Sequence, residues 1–155
     1  MMCGEHRISS LLLAAMTLAL TGCVQSEPIM LPEGPGRVVA LDNPEIDEAS
    51  GLAVSRRHPD RLWLHNDSGG AAALFAVNRQ GQSQGRVELD GVQNIDWEDM
   101  DAFVLDAEPM LLVADVGDNN AVRPFVMLHL LNEPELSPGG AAVRRSLRVT
   151  YEDGP

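Results

Sequence analysis

The chain has 155 residues, with 23 acidic against 11 basic side chains and a formal net charge of −12. A surplus of that sign repels phosphate backbones and argues against nucleic acid as a partner. Apolar residues make up 45% and charged residues 22%, too apolar a mixture for a disordered chain, so most of it is expected to fold.

The N-terminus carries Arg7 and then an apolar run from Leu11 to Leu20. That run has the length of a signal-peptide core and falls short of the roughly 20 residues a permanent membrane span needs. Residues 1–22 are therefore expected to form a signal peptide, helical at the N-terminus. Leu20-Thr21-Gly22-Cys23 resembles the bacterial lipobox. The resemblance implies cleavage before Cys23 and acylation of that residue, so that several acyl chains hold the protein on a membrane. A plain signal peptide with a chance cysteine, or an uncleaved anchor, stays open beside it. Cys3 would leave with the signal, and the mature chain would have no disulfide. Val24, rather than Asp, follows the cysteine, which in lipoproteins of enteric Gram-negative bacteria implies the periplasmic face of the outer membrane. Residues 23–36 hold the lipidated cysteine and a stretch rich in Pro and Gly, which suits an extended tether.

Residues 37–155 are expected to form one all-β domain. Short apolar runs separated by turn-rich stretches predict strands over Val38–Leu41, Gly51–Ser55, Leu62–His65, Ala73–Asn78 and Arg86–Leu89. Further strands are predicted over Ala102–Leu105, Met110–Ala114, Phe125–Leu131 and Arg145–Tyr151. Between them, Arg57-His58-Pro59-Asp60, Asp67-Ser68-Gly69-Gly70 and Asn78-Arg79-Gln80-Gly81 carry the residues tight turns require.

The two halves repeat. Glu48 and Glu98 are 50 positions apart, as are Pro59 and Pro109, while Leu64–Gly69 lies over Leu112–Gly117 at an offset of 48. Four short antiparallel strands in about 50 residues is the arithmetic of a β-propeller blade. A chance likeness between hairpins of a β-sandwich is the alternative. The domain then holds about two blades, an incomplete propeller whose unpaired sheet edge invites self-association. The chain is accordingly expected to be the N-terminal part of a longer protein or to need assembly.

Glu48–Ala53, Leu62–Gly69, Asp96-Trp97-Glu98-Asp99 and Val113–Asn119, followed by Arg123, are similar to the N-terminal half of secreted bacterial six-bladed propellers of the TolB-like kind. Phytase-like hydrolases and binding modules are related to these. The resemblance covers roughly residues 37–155 and lacks the C-terminal half, which leaves in doubt any site shared between opposite blades.

Between Val87 and Val122 lie ten carboxylates and no Arg or His. Such charge is either spread over a solvated, turn-capping face or neutralised by a hard cation such as Ca2+, which takes about six to eight oxygens. Asp67, Asp96, Glu98, Asp99, Asp115, Asp118 and Asn119 are the candidate metal ligands, because they fall at strand ends and turns. Their spacing is not that of an EF-hand. Trp97 is either a packing aromatic or a stacking platform for a ligand, and Arg123 is the cation close to the acidic segment. Trp63 is expected in the core.

His65, Asp67 and Ser68 sit on one strand and turn and cannot line up as a hydrolytic triad. Ser50 and Ser68 lack the neighbours of a nucleophile elbow. His58 and His129 have no Cys or His at metal spacing, so zinc is not supported and both are expected to be structural.

The leading expectation is a lipid-anchored cell-envelope module that binds an envelope partner or a ligand through its acidic loops. Its rivals are a Ca2+-dependent, phytase-like phosphoester hydrolase and a truncated fragment without function; whether the chain is an enzyme stays open. Intact mass of protein extracted from membranes checks the anchor. The expected product starts at Cys23 with acyl chains attached, and an unmodified chain starting at Met1 would reject it.

Overall fold

The computed structural model describes Gly36 and residues 38–152. The expected signal peptide, Cys23 and all of the expected tether except Gly36 lie outside the described residues, as do Arg37 and residues 153–155. Among the described residues there are nine strands and no helix. They are β1 (Ala49–Val54), β2 (Arg61–Asn66), β3 (Ala73–Asn78), β4 (Ser83–Asp90), β5 (Trp97–Leu105), β6 (Glu108–Asp115), β7 (Val126–Asn132), β8 (Ala141–Ala142) and β9 (Arg145–Val149).

The all-β expectation therefore holds. The strands form two sheets, ordered β1-β2-β3-β4-β8 and β5-β6-β7-β9, and neither closes on itself. Neighbours run antiparallel except β8, which pairs parallel to β4 through Leu89 with Ala141 and Asp90 with Ala142. Each sheet opens with a bulged strand: the register shifts between Ala49 and Leu52 in β1 and between Trp97 and Asp99 in β5. The two irregular segments touch, because the Ser50 hydroxyl donates to the Glu98 carbonyl at 2.9 Å, 48 positions on.

Local chemistry explains the hairpins. Asn78 Oδ1 accepts the N–H groups of Gln80 and Gln82, both at 2.9 Å, and Gly81 supplies the positive φ that closes the β3–β4 turn. Asp106 and Ala107 both have positive φ, 52° and 67°, between the paired ends Leu105 and Glu108. Two such residues in a two-residue loop match the right-handed twist of the strands they join.

Three expectations change. Val38–Leu41 is not a strand; the segment after it is held to the first sheet through Asp42, whose N–H donates to the Gly81 carbonyl at 3.1 Å and whose Oδ1 accepts the Ser83 N–H at 2.6 Å. β5 starts at Trp97, five residues before the first apolar run, because Met100 and Ala102 face the core while Asp99 and Asp101 face solvent. That alternation is a strand signal which the carboxylates disguise. β8 is two residues long and comes from the β7–β9 connection.

The core lies between the sheets. Ala53, Trp63, Leu74, Ala76, Val87 and Leu89 of the first meet Trp97, Met100, Ala102, Leu111, Val113 and Leu131 of the second. Both tryptophans are fully buried. The Trp63 indole donates to Glu133 at 2.9 Å. Glu133, directly after β7, also accepts the Ser55 hydroxyl and the N–H groups of Arg56 at 2.9 Å and Arg57 at 3.0 Å. Burial pushes the Glu133 carboxyl up, but these donors outweigh it and hold the group below the ordinary carboxylate value.

This carboxylate joins the end of β1, the middle of β2 and the end of β7. Glu133→Ala is expected to cost about 3 kcal/mol or more, since each buried donor left unpaired costs roughly 1–3 kcal/mol. With the folded pKa below 4.5, the unfolded chain binds the extra proton in that window. The stabilisation is thus complete above that value and lost as pH falls through the folded one. Melting curves taken at falling pH should show a smaller acid loss in Glu133→Gln than in the parent protein; an equal loss would count against this role.

Candidate functional site

The acidic residues converge where β5 begins. The Asp67 N–H donates to the Glu48 carbonyl at 2.8 Å, and the Asp67 carbonyl accepts the Trp97 N–H at 3.3 Å. Ser68 forms a lone antiparallel bridge with Asp96. The turn after β2 is therefore stitched to the start of β5. The turn after β6 joins them, with the Gly117 N–H donating to the Asp96 carbonyl at 3.0 Å.

Within this junction Asp67, Asp96 and Glu98 each offer a carboxylate oxygen, and those oxygens lie within 4.8 Å of one another. Gly117 makes the space. A Cβ there would fall 2.5 Å from Asp96 Oδ2 and 2.6 Å from Glu98 Oε1, closer than side chains tolerate. Burial pushes the Asp96 carboxyl above its ordinary value. The neighbouring Asp67 carboxylate and, more weakly, Asp115 add to that, while Arg123 pulls it back. Asp67 Oδ1 is a buried atom without a hydrogen-bond partner. Three crowded carboxylates, one of them holding its proton more tightly than usual, could hold a metal ion.

The remaining expected ligands are placed differently. Asp115, at the end of β6, is buried and committed elsewhere: Oδ1 accepts the Asp96 N–H at 3.2 Å and Arg123 Nη1 at 2.7 Å. Burial pushes its carboxyl up, but His129, Arg123 and the Asp96 N–H together bring it below the ordinary value. Asp118 caps its own turn, accepting the N–H groups of Val122 at 3.0 Å and Arg123 at 2.7 Å. Asp99 is exposed and accepts the Met100 N–H at 2.8 Å. Asn119 is exposed and lines a cavity of about 310 Å³ together with Ser68, Asp96, Asp118 and Arg123.

The two expected ligand-binding side chains also differ from expectation. Trp97 is fully buried, edge-on to His65 with ring centres 5.4 Å apart and tilted against His129 at 6.4 Å. It packs the core and offers no stacking face. Arg123 borders the acidic cavity, but its Nη1 is shared between Asp115 and the Gly117 carbonyl, each at 2.7 Å. Cys23 lies outside the described residues.

A second group was not legible in the sequence. On the second sheet, His129 stands opposite Ser146 in the β7–β9 register, with Nδ1 2.9 Å from the Ser146 hydroxyl. His129 Nε2 is 3.9 Å from Asp115 Oδ2, and both atoms are buried without a hydrogen-bond partner. These three side chains border a cleft of about 570 Å³, with Ile95, Val92 and Met127 on its walls.

No protein family, curated protein or solved structure matches this chain.

Because the folded-state pKa of Asp96 lies above 3.8, the folded protein holds the proton more tightly, and stability declines as pH rises from that value through the folded one. Removing the charge is then a relief. In chelator at neutral pH, Asp96→Asn is expected to melt a few degrees above the parent protein, and a lower melting temperature would show that its ionised form is favoured in the fold.

Proposed function

We infer that the chain is a lipid-anchored cell-envelope protein whose β-domain, part of a propeller, binds a partner through an acidic face organised by Ca2+. The observation that carries the metal reading is the approach of Asp67, Asp96 and Glu98 to within 4.8 Å. Carboxylates repel at that range, and a hard cation accepts several of their oxygens at once. The space left by Gly117 and the unpaired Asp67 Oδ1 fit the same purpose. Ca2+ is favoured over zinc because the donors are all oxygens.

The anchor rests on Leu20-Thr21-Gly22-Cys23, and the outer-membrane address on Val24. The propeller rests on the motif resemblance and on the matching order of the two sheets, each opening with a bulged strand. The binding face is supported by its composition. Ile95 and Val122, 53% and 70% exposed, flank the carboxylates around the cavity, so an acidic rim carries two aliphatic contacts. A partner with basic and apolar groups matches that surface.

The phosphoester reading draws less support. Its metal would need a cation beside it for the substrate phosphate, and the Arg123 guanidinium is already engaged by Asp115.

Melting the full chain in a Ca2+ titration tests the metal reading. A ligand at a hundred times its Kd stabilises by about 2.7 kcal/mol, so the melting temperature should climb with Ca2+ and the climb should shrink in Asp96→Asn. A melting temperature indifferent to Ca2+ would remove the metal from this proposal.

A further inference from the structure

The cleft on the second sheet holds chemistry that the proposed binding role does not use. His129 is 4% exposed and Asp115 1%, whereas Ser146 is exposed at the cleft. Two buried polar side chains thus face each other without satisfying their facing atoms, His129 Nε2 and Asp115 Oδ2. Buried polar atoms left unpaired cost stability, and where they border a cleft they call for an explanation in what the cleft does. The other His129 nitrogen, Nδ1, is occupied by the Ser146 hydroxyl at 2.9 Å.

One tautomer of the ring suits both neighbours. The Asp115 carboxylate lies on the Nε2 side and favours a proton there. That tautomer leaves Nδ1 as an acceptor, so the Ser146 hydroxyl donates to it. Arg123 and the Asp96 N–H hold Asp115 Oδ1 in place, leaving Oδ2 turned towards the imidazole. The side chains therefore stand in the order hydroxyl, imidazole, carboxylate, with the two ring nitrogens facing opposite partners.

We propose that Ser146, His129 and Asp115 form a nucleophile, base and positioning carboxylate that transfers small apolar acyl groups from esters to water. Ser146 Oγ forms a bond to the ester carbonyl carbon as its proton passes to His129 Nδ1. The alcohol oxygen leaves with that proton, which frees Nδ1. Water then attacks the acyl-Ser146 carbonyl and gives a proton to Nδ1, and the acid departs as that proton returns to Oγ. Asp115 favours the imidazolium formed in each half without taking its proton. Val92, Ile95 and Met127 supply the apolar wall for the acyl group, and Gln93 is the lining side chain with an amide N–H for the developing oxyanion.

An alkyl fluorophosphonate tests this on the full chain in detergent with chelator present, so that the outcome depends on neither the Ca2+ reading nor the anchor. Attack forms an Oγ–phosphorus bond and expels fluoride. The expected result is one adduct, located on Ser146 by peptide mass, absent in Ser146→Ala and formed about 100-fold more slowly in His129→Gln. Melting curves matching the parent protein would show that both variants fold. An unlabelled protein, an adduct that survives Ser146→Ala, or a labelling rate unchanged in a folded His129→Gln would overturn the proposal.

Discussion

One buried carboxylate holds the junction of β5, β6 and the following loop together. Asp115 closes β6, and its Oδ1 receives both the backbone N–H that leads into β5 and the guanidinium from the following loop. Without those donors a carboxylate 1% exposed would take up a proton or leave the core. With them it stays ionised and fixes three segments relative to one another. The Gly117 turn lies within this frame, and so do the positions of Asp96 and Glu98.

The same device appears at the opposite end of the second sheet, with a different result. Glu133 follows β7, and its N–H donates to the Pro109 carbonyl at 2.8 Å, next to the start of β6. Its oxygens are met by Ser55, Trp63 and two backbone N–H groups. This end is structural, because the carboxylate finds its donors in the surrounding protein. At the Asp115 end the donors reach one oxygen and leave the other facing an imidazole. The two ends differ in satisfaction: the Glu133 oxygens are met by protein donors, whereas Asp115 Oδ2 is left without one.

Much of the strand order could be read from alternation and turn chemistry. β3 has the expected limits, Ala73–Asn78, because a continuous apolar run between the Gly69-Gly70 loop and the Asn78–Gly81 turn leaves little choice. Only the second half of β5 is legible in the sequence, since Glu98, Asp99 and Asp101 break up its apolar residues although the alternation is intact. β8 had no signal: two alanines pair with β4 only because the fold brings them there. The offset of 48 between Asp67 and Asp115 pointed to equivalent strand ends, and both are at the junction. It could not separate Asp96 and Glu98, which face each other, from Asp99 and Asp118, which answer to nearby N–H groups.

Ser146 was beyond sequence reasoning for a related cause. Its meeting with His129 depends on the β7–β9 register, and the approach of Asp115 depends on β6 lying on the other side of β7. A slip of one residue in β9 would turn Ser146 to the opposite face and present Arg145 or Leu147 to that side of the sheet. Chemistry placed across three strands is therefore as secure as the register that aligns them. Here that register is held by apolar side chains on the face opposite His129, where Leu128 pairs with Leu147 and Val126 with Val149. The packing of one face of the sheet thus decides which polar groups can meet on the other.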